Sequence, residues 1–260
     1  MSDAGAGSAL WSAISGGLDW RLLGMAFGAF ALGGLVKGTI GVGLPLVAVP
    51  LLSLYVPATQ AIVLVMMPVL VSNLWQAWQT GVSREGVMRF MPLIAGLLLA
   101  TLATVPMTLG LSDKSLRAVL AGVVLLALAL MVLPVRITVP PQQERWWSAV
   151  VGTLSGVMGG VSSLAGPVII SYLMSLRLPR DVFVGTISVI YLAAALPLYG
   201  SMALRGRIGL SDALLSLLAL LPSACGLLLG QRLRGRLEDV WFRRVLLAFM
   251  TMVALALFFR

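Results

Sequence analysis

Long apolar stretches separated by short polar turns run through the whole chain of 260 residues. An apolar stretch of roughly 20 residues is long enough to cross a lipid bilayer as a helix. The pattern therefore predicts an all-α polytopic membrane protein with eight to ten transmembrane segments, including short broken or re-entrant helices. The predicted segments are 20–37, 40–56, 58–79, 87–110, 115–134, 146–160, 162–176, 181–201, 210–230 and 240–259.

Three of these segments, 40–56, 146–160 and 162–176, are short for a complete span. Each is open to interpretation as a half-helix, a re-entrant piece or a tilted helix, and this ambiguity produces the range of eight to ten. Residues 1–19 are rich in glycine, alanine and serine and carry no basic residue. We expect them to form a disordered tail rather than a signal peptide, which would begin with a basic region.

Glycine and proline recur at matching positions in the two halves of the chain. Both residue types constrain the backbone, so matches at one fixed spacing indicate an internal duplication more strongly than shared leucines do. Four pairs are spaced by 122 residues: Gly34 and Gly156, Gly38 and Gly160, Pro45 and Pro167, Pro57 and Pro179. The predicted divisions are repeat 1 at 20–134, a connecting loop at 135–145 and repeat 2 at 146–260.

The composition supports a membrane location and argues against a nucleic-acid partner. Only 10% of the residues are charged and 60% are hydrophobic, whereas a soluble domain carries roughly 25% charged residues. The net charge of +9 comes from basic residues in the turns, as is typical of loops held at a cytoplasmic membrane face. Their distribution favours both termini outside. With five segments per half the repeats would be inverted, and with four they would be parallel.

The residue types also exclude several kinds of chemistry. The chain has no histidine and a single cysteine, Cys225, and no Asp or Glu lies centrally in a predicted segment. We therefore expect no catalytic residues, no metal site, no cofactor and no enzyme activity. The same absences argue against a protein-borne proton relay, which usually depends on such groups.

Lys37 is the charged residue that lies well inside the predicted segments. One interpretation is a lysine near a helix end that snorkels to the interface. The other is an anion site, in which glycines interrupt the helix and let backbone N–H groups converge beside the positive end of a helix beginning near Gly43. The predicted substrate-binding residues in this stretch are Lys37, Gly38, Thr39, Gly41, Gly43 and Pro45.

A second set of candidates comes from the matching break and from polar residues in other segments. Gly159 stands where the first half has Lys37, and two serines follow it. Asn73 and Gln76 are about one helical turn apart and so share a face, although bonding between helices would also explain them. The candidates are Gly159, Gly160, Ser162, Ser163, Gly166, Asn73, Gln76 and Tyr191.

The matched stretches GGLVKGTIGVGLPLVAVPLL and SGVMGGVSSLAGPVIISYLM resemble the repeated signature of the sulfite exporter TauE/SafE family, also called the 4-toluene sulfonate uptake permease family. The resemblance implies a multi-pass transporter of the bacterial inner membrane for sulfur-containing anions such as sulfite, sulfoacetate, other organosulfonates or thiosulfate. Where family members often run glycine after glycine, this chain has Lys37 and Val42 in one half and Ser162 and Ser163 in the other.

Together these features predict a secondary transporter, an exporter, that binds a small sulfur-containing anion at the midplane between two repeats and moves it by alternating access. An anion channel and an uptake permease for another small carboxylate or oxyanion are the alternatives. The predicted partners are the small anion and the lipid bilayer. The sequence leaves open the exact substrate, the direction of transport, any coupling ion and the oligomeric state, for which a homodimer is one alternative.

Overall fold

The computed structural model describes residues 20–132, 139–233, 247–248 and 250–257. Within this part of the chain the secondary structure is helical, and no strand occurs. The predicted tail at 1–19 and residues 133–138 of the predicted loop lie outside the described residues. The helices are α1 (Trp20–Ile40), α2 (Leu44–Ser53), α3 (Ala58–Leu64), α4 (Met66–Thr80), α5 (Arg84–Arg89), α6 (Met91–Leu109), α7 (Asp113–Val132), α8 (Glu144–Ser162), α9 (Gly166–Ser175), α10 (Arg180–Leu204), α11 (Leu210–Leu218) and α12 (Leu220–Leu233), followed by helical residues at 250–257 and preceded at α8 by a 3-10 turn, Pro141–Gln143.

Several of these helices have the length and composition of membrane spans, which confirms an all-helical membrane protein. In the described part of the chain, five stretches are long and apolar enough to cross a bilayer: Arg21–Ile40, Ala58–Thr80, Met91–Leu109, Asp181–Leu204 and Leu210–Leu233.

The three short predicted segments differ in length from one another. Helices α2 and α9 have only ten residues each, or about 15 Å at 1.5 Å per residue. The segment predicted at 146–160 is instead part of α8, which has 19 residues. It is longer because the helix includes a charged first turn at Glu144 and continues to Ser162, beyond the apolar residues that defined the prediction.

Each short helix folds back on the helix before it. A Cβ at Gly33 of α1 would lie 3.0 Å from the Leu44 carbonyl oxygen and 3.3 Å from Ala48 Cβ, so α1 and α2 form an antiparallel hairpin. Its tip contains Gly41 at φ 94° and Gly43 at φ 107°, a left-handed conformation that glycine adopts without a steric penalty. Helices α8 and α9 form the second hairpin.

Glycines allow two pairs of long helices to pack at very short distance. A Cβ on Gly34 would collide with the carbonyl oxygen of Ser223, and one on Gly38 with that of Leu227. Because both numbers rise together, α1 and α12 run parallel. Helices α6 and α8 are packed in the same way, since Gly152 lies against Leu93 and Gly156 against Leu97. Small residues allow such close backbone approach between membrane helices.

Helices α4 and α10 pack against each other. Gln76 of α4 bonds Ser188 of α10, and Thr80 lies beside Gly185. Because one number rises as the other falls, these two helices run antiparallel. Two apolar clusters surround them. One is centred on α1 to α4, α7 and the end of α10, and the other on α6, α8, α9 and the start of α10.

Candidate functional site

The side chain of Lys37 is enclosed by protein. It lies in the last turn of α1 and is 1% exposed. Its Nζ donates a hydrogen bond to Asn73 Oδ1 at 2.5 Å. The ion pairs found among the described residues join other side chains, Arg89 with Glu144 and Arg117 with Asp113. The ammonium therefore lies inside the protein with a neutral partner, and snorkelling to the interface does not describe it.

Asn73 is held at both ends of its carboxamide and is also 1% exposed. Its Nδ2 donates to the carbonyl oxygen of Val69 at 2.9 Å, while its Oδ1 accepts from Lys37. An ammonium can only donate and a carbonyl can only accept. The two partners therefore fix which end of the amide faces Lys37.

Gln76 lies on the same buried face of α4, one turn beyond Asn73. Its Oε1 lies 3.2 Å from Ser188 Oγ, whose one proton is shared between this oxygen and the Val184 carbonyl oxygen at 2.7 Å. Ser188 is fully buried and was not among the predicted site residues. Its position in the middle of an apolar stretch was the available signal, but many serines in such stretches bond only their own helix.

The first break supplies fewer free backbone donors than the glycine pattern predicts. The N–H of Gly41 donates to the Lys37 carbonyl oxygen at 2.8 Å, so the expectation that it is free is wrong. Gly38 is inside the regular part of α1 and packs on α12. The one proton of the Thr39 hydroxyl is shared between the carbonyl oxygens of Leu35 and Val36, which lie 3.0 and 2.9 Å from Oγ1. These residues complete and pack the helix.

The start of α2 has the unsatisfied groups instead. Gly43 is its N-cap and provides no side-chain cap, and Pro45 occupies the first turn. The N–H groups in the first turn of a helix have no partner within that helix, and they lie at the positive end of its dipole. This end is enclosed by protein, since Val42 and Leu44 are 4% and 0% exposed.

The second break uses its serines to hold its own backbone. Ser163 adopts a left-handed conformation at φ 62°, and its N–H donates to the Gly159 carbonyl oxygen at 2.8 Å. Ser162 Oγ donates to the Met158 carbonyl oxygen at 2.7 Å and accepts from the N–H of Leu164 at 3.2 Å. The hydroxyl of Ser162 is thus already bonded within the hairpin.

The remaining second-half candidates separate into a packing residue and a pair at the helix start. Gly160 packs against Thr104 and Thr101 of α6. At the start of α9, Gly166 has no side-chain cap before it and lies so close to the Tyr191 hydroxyl that a Cβ there would collide with it. The structure therefore brings Tyr191 to the uncapped end of α9.

Each hairpin tip contributes one apolar residue to the apolar cluster that contains residues of the other hairpin. Val42, from the first tip, packs in the apolar cluster that contains Ala165 and Ile169 of the second hairpin. Leu164, from the second tip, packs in the cluster that contains Leu44 and Ala48 of the first. The residues that lead into the uncapped starts of α2 and α9 are therefore buried, with Val42, Leu164 and Ala165 at 4%, 2% and 6% exposed.

Comparison with known proteins identifies the chain. It matches the family described as sulfite exporter TauE/SafE over residues 25–257, a range that includes both hairpins and all the predicted site residues. The chain belongs to the TauE/SafE family. The resemblance of the two glycine-rich stretches to this family is confirmed. No curated protein and no solved structure gave a significant match.

Membership of the TauE/SafE family makes the chain a multi-pass membrane transporter and agrees with the expectation that it is not an enzyme.

Away from the hairpin tips, this transporter has an ion pair outside its membrane-spanning segments. Arg89 pairs with Glu144 through both guanidinium nitrogens, Nε at 2.5 Å and Nη2 at 2.9 Å. The hydrogen bond that Arg89 donates to Glu144 raises the pKa of Arg89. This pair joins α5 to α8 beside an open cavity of about 420 Å³ that Arg145 also lines.

Proposed function

We propose that this TauE/SafE protein is a secondary transporter that exports a small sulfur-containing anion, such as sulfite or a sulfoacetate-like organosulfonate, across the bacterial inner membrane. The observation that carries the proposal is the Lys37 ammonium, 1% exposed and bonded to the neutral amide of Asn73. Taking a cation out of water costs several kcal/mol when no opposite charge compensates it. A bound anion would supply that compensation.

The chemistry of a sulfonate suits the donors at this site. A sulfonate or sulfite has several acceptor oxygens and needs hydrogen-bond donors and a cation rather than a base. The Lys37 ammonium has three N–H donors, of which Asn73 takes one. The uncapped start of α2 at Gly43 adds backbone donors and a positive dipole end, the arrangement that binds anions at helix N-termini elsewhere.

The arrangement of helices supports two inverted repeats. Helices α2 and α9, Leu44–Ser53 and Gly166–Ser175, are equal in length, and both ends are spaced by 122 residues. The same spacing carries α4 onto residues 188–202 of α10, and these two helices run antiparallel. Equivalent helices that run in opposite directions are related by an axis in the membrane plane, as in many transporters that work by alternating access.

Export is the direction that the membrane potential favours. An inside-negative potential drives an anion outward with about 2.3 kcal/mol per charge for each 100 mV, so export requires no coupling ion. The buried acidic residue of the described chain is Asp212, whose Oδ2 accepts the Gly209 N–H at the start of α11. It therefore acts as a helix cap, and uptake would need a different source of coupling.

Calorimetric titration of purified protein with sulfite, sulfoacetate and taurine tests the proposal. The chain has two lysines, Lys37 and the exposed Lys114, which gives a matched pair of variants. Lys37→Gln keeps a donor for Asn73 but removes the charge, and we expect anion affinity to fall by about 10- to 150-fold, the equivalent of one charge-assisted hydrogen bond. Lys114→Gln should bind as wild type does. Equal affinity in Lys37→Gln and wild type would refute the site, and non-saturating flux in proteoliposomes would favour the channel alternative.

A further inference from the structure

We infer that Asn73 is the residue that sets the charge selectivity of this site, because its neutral carboxamide positions the Lys37 ammonium without cancelling its charge. The inference rests on the proposed binding of an anion at Lys37. It adds a role that the proposed function does not contain, since it concerns which net charge of ligand the site accepts.

The geometry shows that Asn73 positions the ammonium. The amide is anchored through Nδ2 to the Val69 carbonyl oxygen of its own helix at 2.9 Å. Its Oδ1 therefore has a fixed place, and the bond to Lys37 joins two helices across 36 positions in the chain. Lysine has a long, flexible side chain, and this contact holds its charged end at one point while leaving two N–H donors for a ligand.

The contact between Asn73 and Lys37 matters for charge selectivity because the polar side chains on the buried face of α4 are neutral. Gln76, the next polar residue on the buried face of α4, is also neutral and is bonded to Ser188. The described ion pairs lie elsewhere. Among the residues that the structure describes, no carboxylate forms an ion pair with Lys37, so the charge of the ammonium is not cancelled, and position 73 contributes an amide rather than a carboxylate.

An aspartate at position 73 would have nearly the same shape and the opposite consequence. A carboxylate cannot donate to the Val69 carbonyl oxygen, so both of its oxygens would be available to the Lys37 ammonium. The resulting ion pair would give the site no net charge. A ligand with one positive and one negative group, such as taurine, could then place its ammonium near the carboxylate and its sulfonate near the helix start, whereas a purely anionic ligand would meet an added repulsion.

The test compares Asn73→Asp with Asn73→Thr, which keeps a neutral oxygen acceptor, by titration with sulfoacetate and taurine. We expect Asn73→Asp to lower sulfoacetate affinity by about tenfold or more and to raise the ratio of taurine to sulfoacetate affinity by a similar factor, the effect of about one charge-assisted contact. Asn73→Thr should keep the wild-type ratio. Thermal unfolding of both variants checks that they are folded.

The outcomes separate this inference from the proposed function. If Lys37→Gln abolishes anion binding but Asn73→Asp keeps the wild-type ratio, position 73 does not set selectivity and only the inference is overturned. A changed ratio in Asn73→Thr would also overturn it, because the acceptor there remains neutral. If Lys37→Gln binds as wild type does, the proposed function itself fails.

Discussion

The buried contact between Lys37 and Asn73 can be dismantled one partner at a time, and each step has a different expected effect on stability. Asn73→Leu removes the acceptor, Lys37→Met removes the cation, and the double variant removes both while keeping similar volumes. Removing one partner leaves the other buried without compensation, whereas replacing both with apolar groups avoids that penalty. The order of stability therefore reports whether the ammonium is confined as the structure shows.

The magnitudes follow from burial, since both side chains are 1% exposed and neither can turn to water. In Asn73→Leu the ammonium loses a neutral hydrogen-bond partner, which should cost about 1.5–3 kcal/mol. In Lys37→Met an amide oxygen loses its donor at a cost of about 1–3 kcal/mol, offset by removal of the buried charge. The double variant should be about 1–4 kcal/mol more stable than wild type, as for other buried charges replaced by apolar residues.

Thermal unfolding in detergent measures these differences. At about 2–4 °C per kcal/mol for a chain of this size, Asn73→Leu should unfold about 3–12 °C below wild type and the double variant about 2–16 °C above it. Leu74→Met, at a neighbouring position that is 62% exposed, is the control and should unfold with wild type. If Asn73→Leu matches wild type, or the double variant is the less stable protein, then the Lys37 ammonium has another partner and the reasoning is wrong.

The remaining predictions concern helix packing and the orientation of the repeats. Gly226→Ala places a methyl against the backbone of α1 and should destabilise the protein by about 1–3 kcal/mol. Gly122→Ala, a control with open space around the new methyl, should unfold no earlier than wild type. If the Gly226→Ala and Gly122→Ala variants unfold at the same temperature, the α1–α12 packing is contradicted. Tyr55→Cys and Arg177→Cys, each made in a Cys225→Ser background, place single cysteines in corresponding exposed turns of the two repeats. If the repeats are inverted, a membrane-impermeant thiol reagent added outside intact cells should label only one of the two cysteines. Labelling of both would indicate parallel repeats.

The hydrophobic pattern predicted the helical membrane fold and the location of both breaks, because lipid imposes long apolar helices and only glycine tolerates the conformation found at the first tip. The roles of individual glycines could not be predicted in the same way. Gly38 and Gly43 look alike in sequence, yet Gly38 packs on α12 and Gly43 turns the chain at φ 107°. The difference depends on a helix that lies almost 200 positions further along the chain.

The contact between Lys37 and Asn73 also could not be predicted from the sequence alone. The one-turn spacing of Asn73 and Gln76 predicted a shared face, and both side chains are buried. Nothing in one sequence shows which helix that face meets, however, and it meets Lys37 in one case and Ser188 in the other. Such pairings are set by how the two halves interlock, which a periodicity within one helix does not contain.

The asymmetry between the two hairpins explains why the site holds a single cation. At the proposed spacing of 122 residues, Lys37 corresponds to Gly159 and Gly43 to Ala165. In the second hairpin a Cβ at Gly159 would lie 2.9 Å from Ala165 Cβ, so the tip leaves no room for a side chain there. In the first hairpin the side chain of Lys37 is accommodated and reaches Asn73 of α4, whereas a Cβ at the tip residue Gly43 would lie 3.3 Å from Val36 Cγ1. The second hairpin therefore has no space for a side chain at the position that corresponds to Lys37, and this limits the proposed paired site to one lysine.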